Sequence, residues 1–349
     1  MEKEGSFLSN TKLTDNIEKL LFFLSLLIIP VSVLPFPWDL TEFSMSIVML
    51  FFATIIISIE LMKLVWKGRL SVVRVGVDTG VLLLAGSIIA STILSRSTQT
   101  SLYGFDFTLG TGMVTFLAAM AYAYSARIFL KSLDDVVTSL RFLLVGLTIG
   151  ALISILSFWG LNILSFIPSF DALFTVGLPL YSSARVSLVI WGIAVILATG
   201  LLFEAFKNGK LTYVVLPLIG LLINLVGLIV FSVVQGWEHM AALAVCSAAL
   251  LVVPLVRKRP LNKGYVWTTF SVAALLLLLF GLFRIPQFKD LIIRDSSEVI
   301  TQLTIDPQVS WRVATSSISE SVWRGLVGFG QDTFSIAYNL YRPLTPETV

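Results

Sequence analysis

Apolar residues occur along this chain in blocks of about twenty, separated by short polar segments. Nine blocks can be drawn, at 17–36, 43–62, 76–95, 111–130, 142–160, 186–204, 212–231, 239–256 and 265–283. Each approaches the roughly 20 residues that cross about 30 Å of hydrocarbon. Unpaired backbone is too costly in lipid, so each block is predicted to be a helix. The expected fold class is an all-α polytopic membrane protein, with about nine spans in residues 1–283 and a further segment at 284–349. The first block does not read as a cleaved leader. It is long, is preceded by sixteen polar-rich residues with nearly balanced charge, and has no small-x-small cleavage pattern after it.

The polar segments between blocks carry an asymmetry that predicts orientation. With the N-terminus inside, the inner segments hold sixteen of the 24 basic residues, among them Lys63, Lys67, Arg127, Arg141, Lys207 and Arg257. The short outer loops hold only Arg96 and Arg185. This is the positive-inside pattern, and it puts the N-terminus in the cytoplasm and residues 284–349 outside it. Trp66 and Trp267 fit the inner interface, and Trp38, Trp159 and Trp237 the outer one.

Composition agrees. The chain is 56% hydrophobic and 13% charged, against about 25% charged in a soluble domain. Its net charge of +3 could suggest a nucleic-acid partner, but the loop distribution accounts for the basic residues, so the expected partner is the lipid bilayer. One cysteine, Cys246, and one histidine, His239, allow neither an intrachain disulfide nor a multi-histidine metal site. No metal or other cofactor is expected.

The segment after the ninth block has its own pattern. Asp306-Pro307 reads as an N-cap followed by proline at the first helical position. From there to about Trp323, the residues Trp311, Ala314, Ile318 and Val322 fall on one helical face. Gly325 suits a stop, Gly328-Phe329-Gly330 a turn, and Gln331 to Tyr341 a second helix with Phe334, Ala337 and Tyr341 inward. The odd span count and a half-built outer domain suggest a truncated or split chain.

Candidate chemistry sits mainly at the outer ends of the spans. Arg185, Arg96, Arg312 and Arg324 could each hold a phosphate or carboxylate bidentately, or lie solvated or snorkelled at the headgroups. His239 could act as a general base or be an ordinary interfacial residue; Glu238 beside it does not share its helix face. Gly328-x-Gly330 could cradle an anion, although Asp332 would oppose one. Asp78 lies near an inner span end, and mid-span Asn224 suggests a helix–helix hydrogen bond.

The stretch "DPQVSWRVATSSISESVWRGLVGFGQDTF" resembles the signature of the O-antigen ligase/polymerase-related membrane family. That signature is a Trp-bearing amphipathic helix followed by a G-x-G-x-x-x-F turn in a large outer loop, and Trp311, Gly328, Gly330 and Phe334 stand at its places. "YRPLTPETV" is similar to the continuation in a divergent bacterial branch, and "SLYGFDFTLGTG" to an outer loop of the family. The resemblance implies a metal-independent, inverting glycosyltransferase of the bacterial cytoplasmic membrane. Such an enzyme moves a glycan from an undecaprenyl-pyrophosphate carrier to an outer-leaflet acceptor. It implies outer-side arginines on the pyrophosphate and a loop histidine that assists the acceptor. The family's Ser-Arg pair near the eighth span is absent, since "FSVVQGWEHM" offers Ser232 without an arginine, and no histidine follows Gly330. Two other functions stay open: a non-catalytic scaffold that binds glycan or protein, and a transporter of a lipid-linked substrate. The scarcity of polar residues inside the spans disfavours the transporter.

Overall fold

The computed structural model describes residues 2–32, 42–67, 78–104, 112–130, 132–159, 161, 184–208, 211–235, 274, 278, 281, 307–328, 330 and 333–341. Among them there are helices and turns and no strand. The helices are α1 (Glu2–Ile28), α2 (Glu42–Lys67), α3 (Asp78–Ile93), α4 (Thr98–Tyr103), α5 (Met113–Phe129), α6 (Leu133–Phe158), α7 (Ala184–Asn208), α8 (Leu211–Gln235), α9 (Pro307–Ser319), α10 (Val322–Val327) and α11 (Phe334–Tyr341). The predicted spans at 239–256 and 265–283, with His239, lie outside the described residues, apart from three helical positions, 274, 278 and 281.

Four helical stretches are long and apolar enough to cross a membrane: Phe43–Val65, Leu133–Phe158, Val186–Phe206 and Tyr213–Val230. The blocks at 76–95 and 111–130 form shorter apolar helices, Thr79–Ile93 and Met113–Ala126. The first block joins a helix that begins far earlier, at Glu2, because nothing in the polar N-terminal stretch stops it. It ends at Ile28, just before a 3₁₀ turn that carries Pro30. Proline disfavours the helical conformation in the residue before it. Helix α6 also begins ahead of its apolar block. Ser132 and Asp135 form a capping box, each side chain accepting the other's backbone N–H at 3.2 Å.

The chain divides into two compact units, one of Met1–Phe22, Glu42–Lys131 and Ile300–Val349, the other of Phe23–Thr41 and Ser132–Val299. In the second unit, α6, α7 and α8 pack on one another around Leu144, Leu147, Ala194, Ala198 and Leu201. Helices in lipid gain little from hydrophobic association, so close approach through small residues matters more. Gly146 provides one such approach: a Cβ there would lie 2.5 Å from the Leu27 carbonyl oxygen. Gly227 faces the buried Trp191 ring, where a Cβ would meet it at 3.3 Å. Arg141 lies over the Tyr213 ring at 4.5 Å, joining the first turns of α8 to the polar end of α6.

Asn224 makes the helix–helix bond that its mid-span position suggests. Its Nδ2 donates to Thr148 Oγ1 at 3.1 Å and to the Gly220 carbonyl at 2.7 Å. It is fully buried, and its Oδ1 accepts no hydrogen bond from the described residues. Interhelical bonds of this type contribute about 0.6 kcal/mol on average. Replacing Asn224 by leucine removes a modest bond and an unsatisfied oxygen together. Asn224→Leu is therefore expected to move the thermal midpoint in detergent only slightly. Asn224→Asp, which buries a carboxylate at the same place, is expected to lower it sharply.

In the first unit, α5 packs against α2 and α3, and Phe22 stacks on Tyr122 at 5.3 Å between ring centroids. The segment after 306 begins its helix at Pro307, as the Asp-Pro signal predicts. It ends α9 earlier than expected, at Ser319. The cause is a new cap: Ser321 Oγ accepts from Arg324 N at 3.2 Å and opens α10. Gly325 is thus inside a short helix, and the stop is Gly328, whose φ of +79° suits glycine. The last helix starts at Phe334 instead of Gln331. Thr333 directs that start, since its backbone oxygen accepts from Ile336 N at 3.1 Å.

The packed face of α9 is not the one that carries Trp311 and Ile318. Val313 is fully buried with Ala337 of α11, and Val309, Tyr338 and Tyr341 pack around the pair. Trp311 and Ile318 are exposed, as is Val322 on α10. In α11, Ala337 faces inward as expected and Phe334 is exposed.

Candidate functional site

The polar end of α3 and the 307–341 segment meet within the first unit and form a cluster of charged, hydroxyl and glycine positions. Helix α3 unwinds at Leu94 because Ser95, Arg96 and Ser97 follow the apolar run. Ser101 Oγ donates to Ser95 Oγ at 2.7 Å, and Ser97 Oγ pairs with Thr100 Oγ1 at 2.8 Å, so this corner is tied by hydroxyls. Gly104, with φ +92°, closes α4. A Cβ on Gly112 would lie 2.6 Å from Gly104 N, so the "SLYGFDFTLGTG" loop is pinched at its base by two glycines.

Gly330 seats the outer segment on this corner. Its φ is +116°, and a Cβ there would lie 2.6 Å from Ser95 Cβ and collide with the Ser95 and Ser101 hydroxyls. The Gly-x-Gly pattern therefore has separate roles at its two positions. Gly328 ends a helix, and Gly330 lets backbone approach the Ser95–Ser101 corner.

Two of the four candidate arginines come together here. Arg96 Nη2 pairs with Glu320 Oε1. Arg324 Nη1 donates to the Leu94 carbonyl at 3.0 Å and more weakly to that of Gly328 at 3.4 Å. Tyr341 hydrogen-bonds Glu320, which ties α11 to the same cluster. Desolvation, and after it that bond and the Glu320 charge, push the Tyr341 phenol above the usual tyrosine range, while Arg96 and Arg324 pull against the rise. A cleft of about 520 Å³ opens beside the cluster, lined by Leu94, Ser321, Trp323, Arg324 and Gly328. Its wall offers one guanidinium and one indole, a combination suited to an anion attached to an apolar or sugar body.

The other predicted residues lie elsewhere. Arg312 is exposed on α9 and makes no ion pair with a described residue. Arg185 is the second residue of α7, and its side chain is outside the described residues. Trp311 and Phe334 are exposed. Among the described residues no group of acidic, histidine or cysteine side chains is arranged to hold a metal. The members that sequence reasoning missed are Glu320, Ser95 and Ser101. Glu320 and Ser101 lie inside the quoted stretches but at none of the signature positions, and each of the three meets a residue more than 200 positions away, Arg96 for Glu320 and Gly330 for Ser95 and Ser101, so periodicity carried no signal for them.

A second cluster was also missed. Lys63 Nζ pairs with Asp15 at 2.7 Å, Glu60 at 3.3 Å and the fully buried Glu18. The spacings Asp15/Glu18 and Glu60/Lys63, each i,i+3, put each pair on one helix face, a signal that could have been read.

The Arg96–Glu320 pair is partly exposed, with side chains 39% and 34% accessible. Exposed pairs typically contribute about 0.2–1 kcal/mol. A double-mutant cycle of Arg96→Ala and Glu320→Ala is expected to return a coupling in that range, falling further in high salt. A coupling well above it would mean that the pair is shielded from solvent by something bound.

No protein-family model, curated protein or solved structure matches this chain.

Proposed function

We propose that this chain is an O-antigen ligase/polymerase-like membrane glycosyltransferase. In this reading it lies in the bacterial cytoplasmic membrane with its N-terminus inside and residues 284–349 outside. The observation that carries the reading is the convergence of Arg96 and Arg324 with the signature residues Gly328 and Gly330 beside a Trp-lined cleft. A glycan leaving an undecaprenyl-pyrophosphate carrier breaks its C1–O bond to the diphosphate and forms one to the acceptor oxygen, which loses its proton. Fixed guanidinium groups stabilise the charge that grows on the departing diphosphate. In this reading Arg324, which lines the cleft, would do that work; Arg96, Arg185 and Arg312 are further pyrophosphate candidates, and His239 is a general-base candidate.

The test is transfer of labelled glycan from an undecaprenyl-pyrophosphate-linked donor by the full chain in nanodiscs. Arg324→Ala and Arg185→Ala are each expected to lower turnover by about 10²-fold or more, the scale for losing one charge-stabilising donor. Circular dichroism and thermal midpoint serve as folding controls. Equal turnover in both variants would remove these arginines from the mechanism. A second reading, a non-catalytic scaffold, is favoured by the engagement of Arg96 with Glu320 and of Arg324 with the Leu94 carbonyl. Glycan binding without transfer, across a panel of donors and acceptors, would support it.

A further inference from the structure

Helix α9 has two apolar faces, and only one is packed. Successive residues turn by about 100°, which puts Trp311 and Ile318 within about 20° of each other and Val313 on the far side. Val313 is fully buried against α11, while Trp311 is 72% exposed. Helix α10 continues the exposed surface with Val322 and Trp323, 80% and 74% exposed. Four large apolar side chains, two of them indoles, thus stand uncovered on two consecutive short helices.

The attachment point of α10 identifies what covers them. Arg324 donates to the carbonyl of Leu94, at the end of apolar α3, and Trp323 lines the same cleft as Leu94. Helix α3 carries its own uncovered apolar residues, Leu82, Leu83 and Ile93 among them, up to that end. The exposed residues of α10 therefore stand next to the apolar end of α3, where Ile93 and Leu94 are themselves exposed. Beside Trp311, about 100° around α9, stands the exposed Arg312. An apolar face with indoles, flanked by a cation, is the composition of a helix lying at the headgroup–acyl boundary.

We infer that α9 and α10 are a membrane-surface element, with Trp311, Ile318, Val322 and Trp323 immersed in the phospholipid interface at the Leu94 end of α3. The element fixes the depth of the Arg324 cleft at the headgroups, whatever the chain's activity.

The test uses the full chain with Cys246→Ser, in phosphatidylethanolamine/phosphatidylglycerol nanodiscs. Nitroxide labels are placed singly at Ile318→Cys and Val322→Cys, and at Asn339→Cys, an exposed polar position on α11. Power saturation compares collisions with lipid-soluble oxygen and with a water-soluble nickel chelate. The two apolar positions are expected to favour oxygen by several-fold over Asn339. Equal preference for the nickel chelate at all three would overturn the inference. So would exclusion of both reagents from Ile318 and Val322, which would mean that protein covers them. As a label-free check, doxyl lipids are expected to quench wild-type tryptophan fluorescence more than that of the Trp311→Phe/Trp323→Phe variant. Identical quenching would count against interfacial immersion.

Discussion

Gly330→Val is expected to release the outer segment from the end of α3 while leaving the apolar helices folded. Two penalties combine. A φ of +116° is unfavourable for any residue with a side chain, and leaving the right-handed regions costs about 1–2 kcal/mol. The added Cβ also lands 2.6 Å from Ser95 Cβ, an atom one bond from backbone that no rotamer change can move. Overpacking of that type adds about 1–3 kcal/mol. The total of about 2–5 kcal/mol is comparable to what a short docked segment can lose before it opens. Hydrogen exchange in α10 and α11 is the direct measurement, with far-UV circular dichroism as control. Gly328→Ala separates the two causes. It carries the positive φ, +79°, but its Cβ would meet nothing closer than Ser91 Oγ at 3.8 Å. It is expected to cost about 1–2 kcal/mol, from strain alone. Wild-type exchange in Gly330→Val would refute the seat on Ser95 and Ser101.

Lys63→Met is expected to destabilise the first unit more than any single change to the exposed ion pair. Lys63 is the cation to three carboxylates, and Glu18 among them is fully buried with one oxygen, Oε1, lacking a hydrogen-bond partner among the described residues. Removing the ammonium leaves an uncompensated carboxylate out of water, which costs about 3–5 kcal/mol in comparable buried pairs. The double variant Lys63→Met/Glu18→Leu is expected to recover most of the loss, because it removes both charges and their desolvation. Thermal unfolding in one detergent, read by intrinsic fluorescence, compares the three proteins. If the double variant were no more stable than Lys63→Met, the damage would lie in lost lysine packing or in Asp15 and Glu60.

The two predictions differ in how visible their causes were along the chain. Gly330 stands in a recognisable Gly-x-Gly pattern, yet the reason for the second glycine is Ser95 and Ser101, on another element. Glu18 and Lys63 carry a readable i,i+3 spacing with Asp15 and Glu60, but only the packing of the first unit joins the two pairs. Arg96 stands out along the chain as one of two basic residues in the short outer loops, and Arg324 as part of a patterned segment. That Glu320 and the Leu94 carbonyl hold them is a matter of contact across more than 200 positions.

Hydropathy alone determined the helical class, and four of the nine predicted blocks coincide with helices long and apolar enough to cross a membrane, because about 20 apolar residues in lipid have one economical backbone solution. Local chemistry alone determined the start of α9 at Pro307, since proline's fixed φ and missing N–H suit that position whatever surrounds it. Which face of α9 is packed was decided only by the tertiary structure. Periodicity marks an apolar face by its composition, and α9 has two of them. Val313 packs against Ala337 of α11, and Trp311 stays outside. Composition cannot choose between two apolar faces of one helix; only the position of a packing partner, here α11, does so.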